Sequence, residues 1–181
     1  MELVEPIRDK KQIEHMKKKI LRGDNLRDYV LFVLGINSGL RISDLLHLTV
    51  DDVKGKNRIT IREQKTGKAK DFPLSDTCKK VLQEYLKTTS SGWLFPSRQG
   101  EGPISRVQAY RIINAAARAV GIKDKIGTHT LRKTFGYHAY QSGVGVEVIQ
   151  KLLNHSSPGT TLRYIGITKD ELDEVYINLN L

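Results

Sequence analysis

Residues 58–74 contain Arg58-Ile-Thr-Ile-Arg62, then Lys65-Thr-Gly-Lys68, then Lys70-Asp-Phe-Pro-Leu74. In the first segment apolar and polar residues alternate with the two-residue period of a half-buried strand. The second has the composition of a tight turn, and the third is an extended return. The passage predicts an antiparallel hairpin, with Val50 to Val53 as a third strand. The other periodic segments repeat at helical spacing, so this hairpin fixes the class as α+β, mainly α: a helical domain with a small three-stranded antiparallel sheet.

Upstream, Asp9 opens a run with Ile13, Met16 and Ile20 at helical spacing, closed by Gly23. Arg27 to Asn37 is apolar on most faces, which predicts a buried central helix. Gly39 breaks it, and a short helix follows from about Ile42 to Leu48, placing Arg41 on a bend at a helix start. Downstream, Ser75 caps a helix to about Lys87, and Gly92 to Pro96 is a short extended link. Ser105 caps a run to Val120 whose apolar side is Val107, Ile112, Ile113 and Ala116. Further helices are predicted near Leu131–Ser142, Val146–Leu153, Pro158–Tyr164 and Lys169–Asn178.

No repeat, low-complexity tract or domain-sized linker interrupts the 181 residues, a length suited to one compact domain. Thirty Lys plus Arg against twenty Asp plus Glu give a formal charge of +10, which attracts a polyanion. Nucleic acid fits. A membrane surface does not, because no segment sets a Lys/Arg face against a Trp/Phe/Leu face. The longest apolar run, Tyr29 to Ile36, is far short of a span. The start Met-Glu-Leu-Val-Glu-Pro carries no apolar secretion segment behind a basic beginning, so export is not expected. Cys78 is the lone cysteine, which excludes an internal disulfide and a cysteine-based zinc or redox pair. Asp51 and Asp52 with Asp44 would suggest a two-metal nuclease only if they converged, and adjacent strand residues do not. With no GxxxxGK loop and no paired-histidine spacing, no metal and no cofactor are expected.

Four stretches hold the residues with chemistry to offer: Ser38-Gly-Leu-Arg-Ile-Ser-Asp-Leu-Leu46, Gln64-Lys-Thr-Gly-Lys68, Thr128-His-Thr-Leu-Arg132, and Leu152-Leu-Asn-His155 followed by Thr161-Leu-Arg-Tyr164. In order and spacing they resemble the catalytic domain of tyrosine recombinases, the phage-integrase family of site-specific DNA recombinases. The likeness runs from about Asp9 to Ile177. It implies an enzyme that cleaves and rejoins DNA through a 3′-phosphotyrosyl intermediate without metal or ATP.

The resemblance assigns the roles. Arg41 and Arg132 grip the non-bridging phosphate oxygens, where a planar, permanently charged fork is well suited. Tyr164 is the nucleophile. Lys65 protonates the leaving 5′-oxygen, with Lys68 as the alternative in the same turn. His129 assists proton transfer with Tyr164, and His155, where many members carry tryptophan, donates to the phosphate. Asp44 supports Arg41 or His129 without taking part in the chemistry. Any one of these residues alone reads as a solvated surface group or a half-buried aromatic; the set in this order carries the case.

Lys68, Lys70, Arg106, Arg111, Lys133 and Arg163 are the expected DNA contacts. The partner is double-stranded DNA, the location cytoplasmic and nucleoid-associated, and the domain spans residues 1–181. The family's additional amino-terminal helical domain is expected to be absent, leaving a fragment or a naturally short recombinase with weak, salt-sensitive DNA binding. Leu172, Val175, Tyr176 and Leu179 form an apolar stripe expected to dock on the domain's own core, with assembly against a neighbouring protomer as the other reading. A monomer in solution and a tetramer on DNA are expected. A type IB topoisomerase and a non-catalytic DNA-binding module are the competing functions.

Overall fold

The structure is a computed structural model that describes residues 4–21 and 25–179. The chain begins with α1 (Lys10–His15), capped by the Asp9 carboxylate accepting from Lys11 N–H at 2.7 Å and continued by a π-helical stretch, Met16–Leu21. The side chain of Ile20 and the expected stop at Gly23 lie outside the described residues. There follow α2 (Leu26–Ser38), α3 (Ile42–Leu46), α4 (Val50–Val53), β1 (Arg58–Arg62), β2 (Ala69–Pro73) and α5 (Asp76–Tyr85). The rest is helical: α6 (Arg106–Ala119), α7 (Thr128–Gln141), α8 (Val146–Leu153), α9 (Pro158–Ile165) and α10 (Lys169–Leu179).

The hairpin forms in the register Arg58 opposite Pro73, Thr60 opposite Asp71 and Arg62 opposite Ala69. Ile59 points into the core while Arg58 and Thr60 face solvent, as the alternation requires. The expected third strand is a correction: Val50–Val53 is the single helical turn α4, and the described sheet has two strands. The cause is local. The Asp52 carboxylate accepts from Thr49 N–H at 2.7 Å and from the Thr49 hydroxyl at 2.8 Å, a closed loop that favours a helical turn. Beside it the extended link pairs with the chain entering α4, through Val50 N–H to Gly92 O at 2.9 Å and Leu94 N–H to Leu48 O at 2.8 Å.

Helix α2 is the centre of the main core, with Val30 to Leu34 all at or below 1% exposure, and α5 and α7 pack against it. A second apolar cluster, Tyr137, Ile149, Leu153 and Ile165, joins α7, α8 and α9, and Tyr164 packs at its edge. Two glycines set this geometry. Gly39 ends α2 at φ +60°, a left-handed position that turns the chain into Arg41. Gly136 lets α9 close on α7, since a Cβ there would lie 2.5 Å from Ile165 Cγ2.

Two further expectations are corrected. On α6 the buried residues are Ala109, Ile113, Ala116 and Ala117, while Val107 in the first turn is 59% exposed. Helix α10 does not dock on the core. It leaves α9 through Gly166 at φ +78°, and Leu172, Val175, Tyr176 and Leu179 are 40 to 84% exposed. Its tether is polar: Glu171 Oε1 accepts from Tyr137 Oη and Gln141 Nε2, both at 3.0 Å. None of the described helices is long and apolar enough to cross a membrane.

Candidate active site

Arg132 sits on α7 with 3% of its surface exposed. Its guanidinium donates through Nη1 to the Gly39 carbonyl and through Nη2 to the Leu153 carbonyl. These carbonyls close α2 and α8, so the negative ends of two helices cradle one permanent cation. Arg41, at the start of α3, lies close enough for the two positive charges to oppose each other. Arg41 Nη1 is 2.8 Å from Glu63 Oε1, yet it is buried and lacks an aligned hydrogen-bond acceptor.

Tyr164 is carried by α9, which Ser157 caps by accepting from Thr160 N–H at 3.1 Å with Pro158 in the first turn. Burial raises the phenol pKa above its ordinary 10, against the Arg132 and Arg41 charges and a hydrogen bond from Arg132 that lower it. The free site therefore holds a neutral phenol within reach of both arginines. His155 stacks edge-on against Tyr164 with ring centroids 4.7 Å apart. Burial, then the Arg132 and Arg41 charges, depress its pKa to about 4, so the ring is neutral at pH 7. Its Nδ1 lies 3.1 Å from the Thr161 hydroxyl, a fully buried side chain one helical turn before Tyr164.

Four of the six expected catalytic residues, Arg41, Arg132, His155 and Tyr164, thus converge. The other two lie at the rim. Lys65 is exposed on the hairpin turn. His129, in the first turn of α7, is exposed as a residue but its ring is partly desolvated. That desolvation, and the charges of Arg106, Lys133, Arg132 and Lys65, hold its pKa below the usual value. A neutral imidazole can accept a proton.

Asp44 does not meet Arg41 or His129 as expected. Its Oδ1 accepts from Gln64 N–H at 2.9 Å, which anchors the hairpin turn, and its buried Oδ2 has no hydrogen-bond partner. Glu63 is the carboxylate at Arg41, and the sequence reading missed it. The signal was present: the two-residue period puts Glu63 on the inward face with Ile59 and Ile61, where a carboxylate needs a partner. Thr161 was also missed as the group that sets the His155 ring.

Of the expected DNA contacts, Lys68, Arg106, Arg111 and Arg163 are exposed. Arg111 lines a polar cavity of about 670 Å³ with Arg27, Arg98 and Ser105, apart from the four converging residues. Lys133 is a correction. It is 6% exposed, with Nζ 5.1 Å from the centroid of the Tyr164 ring, so it packs against that ring and is not a free surface cation. Lys70 is half-buried and donates to Leu152 O at 3.3 Å, and burial followed by the Arg132 charge lowers its pKa to about 8. Asp51 and Asp52 are helical, and among the described residues no group of three His, Cys, Asp or Glu side chains is placed to hold a metal ion.

Comparison with known proteins gives the same grouping. The family model described as the phage integrase family matches residues 8–171. The probable integrase/recombinase YoeC of Bacillus subtilis is 47% identical over 177 residues, covering 97% of this chain and 97% of that protein. Tyrosine recombinase XerD of Corynebacterium glutamicum is 35% identical over 159 residues, covering 84% of this chain and 52% of that protein. The chain therefore spans nearly all of the first relative and about half of the second. Among solved structures, XerA recombinase superposes with a TM-score of 0.77 at 24% identity, covering 96% of this chain and 62% of that one. The post-cleavage complex of XerH recombinase with its difH substrate gives 0.76 at 21% identity, covering 94% and 51%.

Proposed function

The chain belongs to the phage integrase family, and on that premise we propose that it is a site-specific recombinase, the catalytic domain that breaks and rejoins DNA through Tyr164. The observation that carries the reading is the neutral Tyr164 phenol beside the Arg132 guanidinium, with Arg41 and His155 around it. A phosphodiester entering that space would be gripped by Arg41 and Arg132 as its oxygens gain charge, and preorganised donors of this kind contribute about 10²- to 10³-fold each. Arg132 already has two carbonyls fixing its orientation, so little reorganisation accompanies binding.

In the proposed step the Tyr164 Oη–phosphorus bond forms and the phosphorus–O5′ bond breaks. The phenolic proton passes to a base, for which the neutral His129 is suited, and Lys65 supplies the proton that leaves with the 5′-hydroxyl. His155 donates to a non-bridging oxygen through Nε2–H in the tautomer whose Nδ1 accepts from the Thr161 hydroxyl, for which that hydroxyl turns from its bond to the Ser157 carbonyl. The phosphotyrosyl ester conserves the bond energy, so attack by a 5′-hydroxyl of a partner strand reseals DNA without ATP or metal.

Double-stranded DNA is the proposed partner, in keeping with the difH substrate of XerH, and Lys68, Arg106, Arg111 and Arg163 are its proposed phosphate contacts. The uncovered apolar stripe of α10 supports assembly of protomers on DNA, with a monomer in its absence. A cytoplasmic, DNA-associated location follows from that partner.

The decisive test is a nicked suicide duplex incubated with the protein in EDTA and resolved by denaturing electrophoresis. A slow-migrating adduct formed by the native chain and absent with Tyr164→Phe is the expected result. An adduct that persists in the variant would refute the assignment.

A further inference from the structure

We propose that Glu63 is a positioning residue that locks the Lys65 turn to Arg41 and to the end of α8, so that the proton donor and the phosphate grip are held in one register. The inference rests on the recombinase reading of the same site. Its basis is where the two oxygens of one buried carboxylate go. Glu63 is 3% exposed. Oε1 faces Arg41 Nη1 at 2.8 Å, while Oε2 accepts from the Thr66 hydroxyl at 2.6 Å and meets Asn154 Nδ2 at a marginal 3.5 Å. Thr66 is the residue after Lys65, and Asn154 is the residue before His155.

Besides Glu63, the turn is held by Gln64 N–H to Asp44 Oδ1 at 2.9 Å, Gly67 N–H to the Glu63 carbonyl at 2.8 Å and Arg62 Nη1 to the Gly67 carbonyl at 2.8 Å. Of these only the Asp44 bond reaches beyond the hairpin. Gln64 to Thr66 are exposed, so the Glu63 carboxylate is what ties the tip to Arg41. A second strap comes from the Lys68 ammonium, which donates to Asn154 Oδ1 at 3.2 Å, so the same asparagine is held from both sides of the turn. Asn154 in turn adopts φ +50°, a left-handed position that closes α8 and directs the chain into His155. Burial pushes the Glu63 carboxyl up, but Thr66, Arg41 and the charge of Lys70 outweigh it, so the group stays ionised and keeps its grip at pH 7.

A positioning role differs from a merely structural one in what it leaves intact. The proposed phosphate contacts are exposed cations, and removing a negative charge from the protein does not weaken phosphate binding. The test uses Glu63→Gln, which is isosteric, and Thr66→Val, which lies on an exposed turn and leaves the core untouched. Each is compared with the native chain in single-turnover cleavage of two suicide duplexes, one with the ordinary 5′-bridging oxygen and one with 5′-bridging sulfur. A thiolate leaves without needing a proton, so the sulfur substrate bypasses the acid.

On the oxygen substrate both variants are expected to cleave about 10- to 100-fold more slowly, with DNA affinity and melting temperature unchanged for Thr66→Val. On the sulfur substrate Thr66→Val is expected to return to within about threefold of the native rate, because what it misplaced was the proton donor. Native rates for both variants on the oxygen substrate would overturn the proposal, and so would an equal loss for Thr66→Val on both substrates. Absence of any adduct from the native chain would instead sink the recombinase reading on which it rests.

Discussion

Replacing Gly136 by alanine tests whether the seat of α9 controls the proposed nucleophile, Tyr164. The added Cβ would stand 2.5 Å from Ile165 Cγ2 and 3.2 Å from Leu153 Cδ1. Carbon atoms settle at about 3.5 to 4.0 Å, so α9 must retreat from α7 by about 1 Å. Ile165 directly follows Tyr164, and both lie on α9, so the phenol moves with it. Overpacking at such a contact costs about 1 to 3 kcal/mol, which in a domain of this size lowers Tm by roughly 2 to 12 °C. A 1 Å error in the attacking atom lowers the cleavage rate by about 100-fold. DNA affinity is expected to fall little, because of the proposed phosphate contacts only Arg163 lies on α9, while Lys68, Arg106 and Arg111 lie on other elements. Calorimetry, filter binding and single-turnover cleavage of the nicked duplex measure the three quantities separately. Cleavage within threefold of native with an unchanged melting temperature would refute the claim that this close helix contact aims Tyr164.

Arg132→Ala is expected to reduce cleavage by about 10²- to 10³-fold and also to destabilise the fold, since it strips the Gly39 and Leu153 carbonyls of their donor at about 1 to 3 kcal/mol each; urea unfolding alongside cleavage separates the losses. His155 has a folded pKa of about 4 against an ordinary 6.5, so the unfolded chain binds more protons between those values, and stability should fall as pH drops through that window. His155→Asn should flatten that part of the stability profile, and an unchanged slope would contradict the buried neutral ring. The paired substitution Val175→Ser and Tyr176→Ser on α10 should change unfolding stability by less than about 0.5 kcal/mol, because neither side chain is buried, while reducing protein assembly on DNA seen by light scattering. Arg106→Ala and Arg163→Ala should each lower the slope of log affinity against log salt by about one, measured by titration across about 50 to 200 mM salt.

Much of the architecture was legible because local rules dominate it. Ser75 and Ser105 cap the helices that follow them, Val146 to Leu153 is a helix with the predicted bounds, and the alternation of Arg58 to Arg62 is a strand. The misreadings occur where a short segment satisfies two patterns. Val50 to Val53 has strand-like composition, but the Thr49–Asp52 closure makes it a turn of helix. Val107 continues the apolar period of α6, yet at the first turn no other described element covers it. Lys133 looked like one more surface cation; its buried place against the Tyr164 ring appears only when α9 is folded back.

By itself the sequence determined most of the element types, with Val50–Val53 the exception, the polyanion-seeking charge and the order of the six chemistry-bearing residues, because capping, periodicity and composition act over a few neighbours. Only the tertiary structure decided how those residues meet. Arg41 and Tyr164 are more than a hundred positions apart, and what joins them is the closing of α2 and α8 on the Arg132 guanidinium and the approach of α9 allowed by Gly136. The same long-range packing buried Glu63 beside Arg41 and left α10 uncovered, since the partner of a side chain is fixed by where distant segments come to rest.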